Sequence, residues 1–133
     1  MNRLEHRLKK PVPIRISLVM ATVGRVNEVA AFITRLEMQS SRAFELIIVD
    51  QNHDDRLVEI VKRAQAIGLD VRHLRFETRS LSAARNHGLS ICRYPITGIP
   101  DDDCWYESDV IAKVIEAFAA NRSEERRVGK ECA

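Results

Sequence analysis

The chain has 133 residues, enough for one domain with a real core and too few to assign two. Its 21 basic and 19 acidic side chains leave a net charge of +2, which argues against a nucleic-acid or anionic-membrane surface and makes any phosphate binding local. Cys92, Cys104 and Cys132 lack metal-type spacing and favour reduced thiols in a cytoplasmic protein over a disulfide framework, and no apolar run approaches the roughly 20 residues that span a bilayer.

Met1 to Pro13 mixes Arg3, Arg7, Lys9 and Lys10 with few apolar residues and ends in Pro-Val-Pro, the pattern of a poorly ordered basic leader. Ile14 to Met20 is almost continuously apolar and predicts a strand covered on both faces. Val29, Phe32, Ile33 and Leu36 fall at i, i+3, i+4 and i+7, so Asn27 to Gln39 reads as an amphipathic helix with Asn27 as N-cap. Leu46 to Val49 is a second buried strand, ending at Asp50. Leu57, Ile60, Val61 and Ala64 restore helical spacing, which Gly68 closes with a left-handed cap. Val71 to Phe76 alternates with Arg72, His73 and Arg75 and predicts a more exposed edge strand. Ser80 to Ile91 is a third helix and Ile96 to Pro100 a fourth strand. A last helix, capped by Ser108, packs through Val110, Ile111, Val114, Ile115 and Phe118.

Four strand-then-helix units predict an α/β fold, a Rossmann-like parallel sheet with helices on both faces, because each parallel crossover needs a helix-sized connection. Ligands of such sheets bind beyond the carboxyl ends of the strands. The polar residues there are Thr22, Gly24 and Arg25, then Asp50 and Asn52, then Asp101, Asp102 and Asp103. Three adjacent carboxylates repel one another, and a hard cation such as Mg2+ or Mn2+ among their oxygens relieves the repulsion. The plainer reading is a solvated acidic turn before a helix. Convergence with the other two loops favours the site.

Four segments carry a resemblance: Ile16 to Arg25 (Ile-Ser-Leu-Val-Met-Ala-Thr-Val-Gly-Arg), Glu45 to Asn52 (Glu-Leu-Ile-Ile-Val-Asp-Gln-Asn), Leu81 to Leu89 (Leu-Ser-Ala-Ala-Arg-Asn-His-Gly-Leu) and Ile99 to Tyr106 (Ile-Pro-Asp-Asp-Asp-Cys-Trp-Tyr). In this order, over about Ile14 to Ala119, the chain resembles family 2 glycosyltransferases of the GT-A fold. The resemblance implies a nucleotide-diphosphate sugar donor, with Thr22, Arg25 and Asp50 holding base and ribose, and Arg85 and Asn86, within Ala84 to Gly88, against the nucleotide and diphosphate. Asp101 and Asp103 form its Asp-x-Asp motif with Asp102 between them on the donor; Asp103 binds Mn2+ or Mg2+ directly, while Asp101 works through ribose or a bound water. The sequence departs from the family where Ala-Thr-Val-Gly-Arg replaces the usual Pro-Thr-Tyr-Asn-Arg, removing an aromatic that would stack on a base, and where Gln51, Asn52 and His53 replace a second Asp and a Gly-Ser pair.

The resemblance further implies that the acceptor contacts and the catalytic base lie in a C-terminal half not present here. Residues 14–120 therefore read as a truncated nucleotide-sugar-binding domain, inactive alone, and any membrane association belongs to a longer parent. Residues 121–133 have no apolar periodicity and read as an adapter scar. The alternatives are a non-catalytic nucleotide-binding fragment and a receiver-type signalling domain, which wants acidic residues where Thr22 and Gly24 stand; a pyrophosphorylase wants a glycine-rich loop where Gly24 stands alone. Trp105 and Tyr106 read as core or rim packing, and His53, Asp54 and Asp55 as a solvated turn.

Overall fold

The computed structural model describes residues 13–121; the basic leader, the tail and the readings given to them lie outside the described residues. Strands β1 (Ile16–Thr22) and β2 (Phe44–Asp50) are buried along their whole length and pair in parallel from Ile16 with Phe44 to Thr22 with Asp50. Strand β3 (Val71–Arg75) pairs with β2, and β4 (Ile96–Gly98) with β1, giving the order β3-β2-β1-β4. The expected edge position of β3 is therefore observed. Strand order reverses between β1 and β4, the place where open α/β sheets bind ligands. A receiver domain has the order 2-1-3-4-5, so that alternative fails on topology.

Helices α1 (Asn27–Glu37), α2 (Val58–Ala66) and α4 (Val110–Ala120) cover one face of the sheet, and α3 (Leu81–Leu89) covers the other. On the first face Val29, Phe32, Ile33 and Leu36 of α1 meet Leu18, Met20, Leu46 and Ile48, and Phe32 packs edge-on to Tyr106 at 4.9 Å. Val110, Val114 and Ile115 lean on this core around the buried Ile111; Phe118 is not part of it. No helix among the described residues is long and apolar enough to cross a membrane.

Several boundaries differ from the expectation. Gly68, at φ +95°, ends α2 as predicted, its N–H bonding Gln65 O while Leu69 N–H bonds Ala64 O, the paired pattern of a Schellman cap. Neither Asn27 nor Ser108 caps a helix: Asn27 is the first residue of α1, and Asp109 precedes α4. The Ser108 carbonyl accepts Ser40 N–H at 2.8 Å, so that residue joins two loops instead. β4 is three residues long and half-buried, shorter than predicted, because it meets only β1 and Pro100 has no N–H to add to a ladder. Cys92 is a free thiol that burial, the largest influence, pushes up in pKa.

Gly88 sets how closely α3 lies on the sheet. A Cβ there would stand 2.5 Å from Val19 Cγ1 and 2.9 Å from Val49 Cγ2, both on fully buried side chains of the two central strands. Gly88→Ala gains about 1 kcal/mol of helix propensity, but overpacking typically costs about 1–3 kcal/mol. The net expectation is a destabilisation on the order of 1 kcal/mol, read as a lower urea midpoint. A midpoint that rose would show that α3 lifts freely.

Candidate functional site

Three loops meet at the carboxyl ends of β1, β2 and β4. Asp50, the last residue of β2, is fully buried. Its Oδ1 accepts both the Asn52 N–H at 2.9 Å and the Asn52 Nδ2 at 2.7 Å, an Asx turn closed twice. Its Oδ2 lies 2.8 Å from His73 Nε2 and 3.6 Å from Arg75 Nε. Asn52, itself 3% exposed, passes the constraint on: its Oδ1 accepts the N–H of Gly24 at 2.7 Å. Gly24 sits at φ +77°, where a side chain is strained, so the residue in the loop after β1 suits its backbone. Asp50 thus fixes the loop of its neighbour strand through Asn52, with neither oxygen left unpaired.

Gln51 ties in a further segment. Its N–H donates to Thr22 O at 2.9 Å, and its Nε2 donates to Thr78 O at 2.8 Å and Ser80 O at 3.4 Å. Ser80 then caps α3 by accepting the N–H of Ala83. The start of the helix that carries Arg85 is thereby held to the end of β2.

The three carboxylates of the acidic turn face three different environments. Asp102 is the inward one, its side chain 17% exposed, accepting the Thr22 hydroxyl at 2.8 Å and facing Arg25 Nε at 3.3 Å. Asp101 is 62% exposed and accepts Arg85 Nη2 at 3.0 Å. Asp103 is exposed, and no hydrogen bond or ion pair joins its side chain to another described residue. Their mutual repulsion is relieved by division: one carboxylate to the loop after β1, one to α3, one to solvent. Arg25 also faces Glu28 at 3.5 Å.

The structure brings Thr22 and Arg25 into contact with Asp102, and Arg85 into contact with the adjacent Asp101, with Asp50 holding the loop of Arg25 through Asn52 and Gly24. Asn86 is exposed on α3, and its side chain makes no hydrogen bond to these residues. Asn52 stands among the polar residues expected at the strand ends but was given no role there, whereas Gln51, His73 and Arg75 were not expected at the site; an Asx residue two positions after a strand-ending Asp was the available signal for the part Asn52 plays. Trp105 is 61% exposed with the Arg35 guanidinium 4.2 Å from its ring, a rim position, and Tyr106 is buried. His53, Asp54 and Asp55 turn to separate partners, Glu77, Arg56 and Arg75. Arg56 holds the Asp54 carboxyl down at about 2 through hydrogen bonds from its side chain and backbone N–H. His87 stacks on Phe76 at 4.5 Å.

No group of three or more His, Cys, Asp or Glu among the described residues could hold a metal ion by itself. A hard divalent cation that shares its shell with phosphate oxygens and water needs only one or two carboxylates. The accessible Asp101 and Asp103 oxygens fit that donor set.

Comparison with known proteins agrees with the fold. The crystal structure of S. aureus TarS superposes with a TM-score of 0.74 at 17% identity, over 82% of this chain and 20% of that one. TarS 1-349 in complex with UDP gives the same TM-score, identity and share of this chain, over 33% of that one. The mannosyltransferase PcManGT from Pyrobaculum calidifontis, in complex with GDP-Man and Mn2+, gives 0.70 at 22% identity over 86% of this chain and 37% of that one. The chain therefore spans between a fifth and two-fifths of the length of these structures, and at such identities the likeness is one of fold. No match was found among curated proteins. The model of the family described as Glycosyl transferase family 2 matches residues 17–124, most of the sequence, and the chain belongs to that family.

Proposed function

We propose that residues 14–120 form the donor-binding part of a glycosyltransferase that takes a nucleotide-diphosphate sugar together with Mn2+ or Mg2+ and passes the sugar to an acceptor. The observation that carries the reading is the hydrogen-bonded convergence of Thr22, Arg25 and Asp102 over the Asp50–Asn52–Gly24 relay, at the point where strand order reverses. Solved relatives of the same fold are complexes with UDP, UDP-GlcNAc and GDP-Man.

In this reading Thr22, Arg25 and Asp102 line the base and ribose end, and Asp50 acts through the loop it holds. Arg85, with Asn86 beside it, neutralises diphosphate oxygens by paired N–H donation. Asp103 is the direct metal ligand, with Asp101 beside it. When bound, the metal supplies Lewis-acid stabilisation of the departing diphosphate. The carboxylates brought together here are all on the donor side, so the base that takes the acceptor proton is proposed to lie outside residues 14–120. The chain alone then binds donor without transferring sugar, in a cytoplasmic setting.

Calorimetry of the 133-residue chain with UDP, GDP and dTDP, each with and without Mn2+, tests this. One nucleotide is expected to bind about tenfold or more tightly with metal, a difference of about 1.4 kcal/mol. Asp103→Asn is expected to abolish the metal dependence while leaving metal-free binding in place. Absence of binding for every nucleotide in either condition would overturn the reading, and an unchanged metal dependence in the variant would overturn the role of Asp103.

A further inference from the structure

Arg85 sits in an unresolved compromise. Its Nη2 reaches Asp101 Oδ1 at 3.0 Å, but its Nε is buried with no hydrogen-bond partner among the described residues. The pair is thus held through one nitrogen, short of the two-pronged geometry a guanidinium makes with a carboxylate when both are free to adjust. Its helix cannot shift to improve matters, because Ala84 and Gly88 seat α3 directly on β1 and β2. Asp102 cannot replace Asp101, being engaged by Thr22 and Arg25. Both members of the pair are accessible, at 34% and 62%, so the contact is weak and solvent-screened.

We propose that Arg85 couples metal binding to diphosphate binding by holding Asp101 until the diphosphate arrives. The proposal rests on the donor reading above. With no anion present, Arg85 and a divalent cation compete for the same carboxylate, and a metal at Asp101 stands beside an unneutralised guanidinium. Once diphosphate oxygens enter, Arg85 turns to them, its unpaired Nε gains an acceptor, and Asp101 is released to the ion that shares those oxygens. One residue therefore opposes metal binding to the empty site and supports it in the nucleotide complex. By linkage, metal strengthens nucleotide binding by the same factor.

Mn2+ binding to the 133-residue chain, followed by the electron paramagnetic resonance signal of the free ion, separates these states. For the unsubstituted chain, Mn2+ alone is expected to bind weakly and about tenfold or more tightly with the nucleoside diphosphate selected by calorimetry. Arg85→Gln is expected to bind Mn2+ alone several-fold more tightly, with the nucleotide now changing its affinity by less than about threefold. Arg85→Lys keeps the competing charge and is expected to leave Mn2+-alone binding at its original level. Adding Asp101→Asn to Arg85→Gln is expected to remove the gain. Circular dichroism on each variant checks that the fold is retained, and Arg85→Ala, which also removes the competing charge and is expected to show the same gain, carries the comparison should the glutamine variant fail to fold. Unchanged Mn2+-alone affinity in Arg85→Gln, with nucleotide binding intact in the unsubstituted chain, would overturn this proposal and leave the donor reading standing. Absence of nucleotide binding in the unsubstituted chain would overturn both.

Discussion

Glu45→Ala is expected to lower the unfolding free energy by about 2–4 kcal/mol, a large part of the roughly 5–15 kcal/mol that holds a domain folded. Glu45 is fully buried near the start of β2, at the end of the sheet opposite the acidic turn. Its Oε2 accepts the Ser17 hydroxyl at 2.6 Å and the Arg93 N–H at 2.8 Å, and its Oε1 accepts Arg72 at 2.8 and 3.2 Å. Arg72 also donates to Ile91 O, and the Ser17 hydroxyl oxygen accepts Tyr94 N–H. The carboxylate thus ties the connection between α3 and β4 to both central strands. Removing one partner of a fully buried pair costs about 3–5 kcal/mol; the lower figure allows for Arg72 and Arg93, at 29% and 46% exposed, recovering water. Urea denaturation measures it, and a loss under about 1 kcal/mol would contradict the account.

The same residue gives a pH dependence. Burial is the largest influence and pushes the carboxyl up, but hydrogen bonds from Ser17, the Arg93 N–H and Arg72, with the Arg72 charge, together outweigh it and hold the group below its ordinary value of 4.5. With the folded pKa below the unfolded one, this contribution is fully present above about pH 4.5 and is lost as pH falls through the folded value. Melting temperatures should therefore fall on the acid side, less steeply in Glu45→Gln. Parallel acid limbs for the two proteins would show that Glu45 is not responsible.

Asp50→Ala is expected to damage both stability and nucleotide affinity. The substitution leaves the Asn52 N–H, the Asn52 Nδ2 and His73 Nε2 without the acceptor they share inside a buried pocket, and each such loss costs about 1–3 kcal/mol where water cannot enter. Partial hydration through His73, 15% exposed, brings the expected total to about 2–4 kcal/mol. Asn52 then no longer fixes Gly24, so the loop carrying Arg25 loosens, with an expected loss of tenfold or more in nucleotide affinity, about 1.4 kcal/mol. Asp50→Asn keeps an acceptor oxygen and should fall between the two proteins. Full affinity in a destabilised alanine variant would confine Asp50 to the fold.

The apolar runs of β1 and β2, the spacing of Val29, Phe32, Ile33 and Leu36, and Gly68 after α2 were legible because each encodes its structure within a few residues. What escaped depended on distance. The second strand was read from Leu46 because Glu45 interrupts the apolar run, and the partners that make its burial tolerable lie 28 residues before it, at Ser17, and 27 and 48 after it, at Arg72 and Arg93. Similarly, β1 extends past Met20 to Thr22, whose hydroxyl finds Asp102 80 positions later. The acidic turn was visible as composition. Its division among Arg25, Arg85 and solvent was not, since that follows from how α3 and the loop after β1 are seated.

The short β4 has a consequence for the order in which the sheet comes together. Ile16 pairs with Phe44, 28 positions on, and with Ile96, 80 positions on. Closing the longer loop costs about 1 kcal/mol more in chain entropy, and the reward is three residue pairs where β1 and β2 share seven. The β1–β2 ladder, with α1 between, is the natural nucleus, and β4 docks on it late. Amides in that ladder should exchange with solvent only on global unfolding, while those of β4 and the turn beyond it exchange through smaller openings. The three carboxylates of the acidic turn are thus carried by the part of the sheet that closes last and opens first.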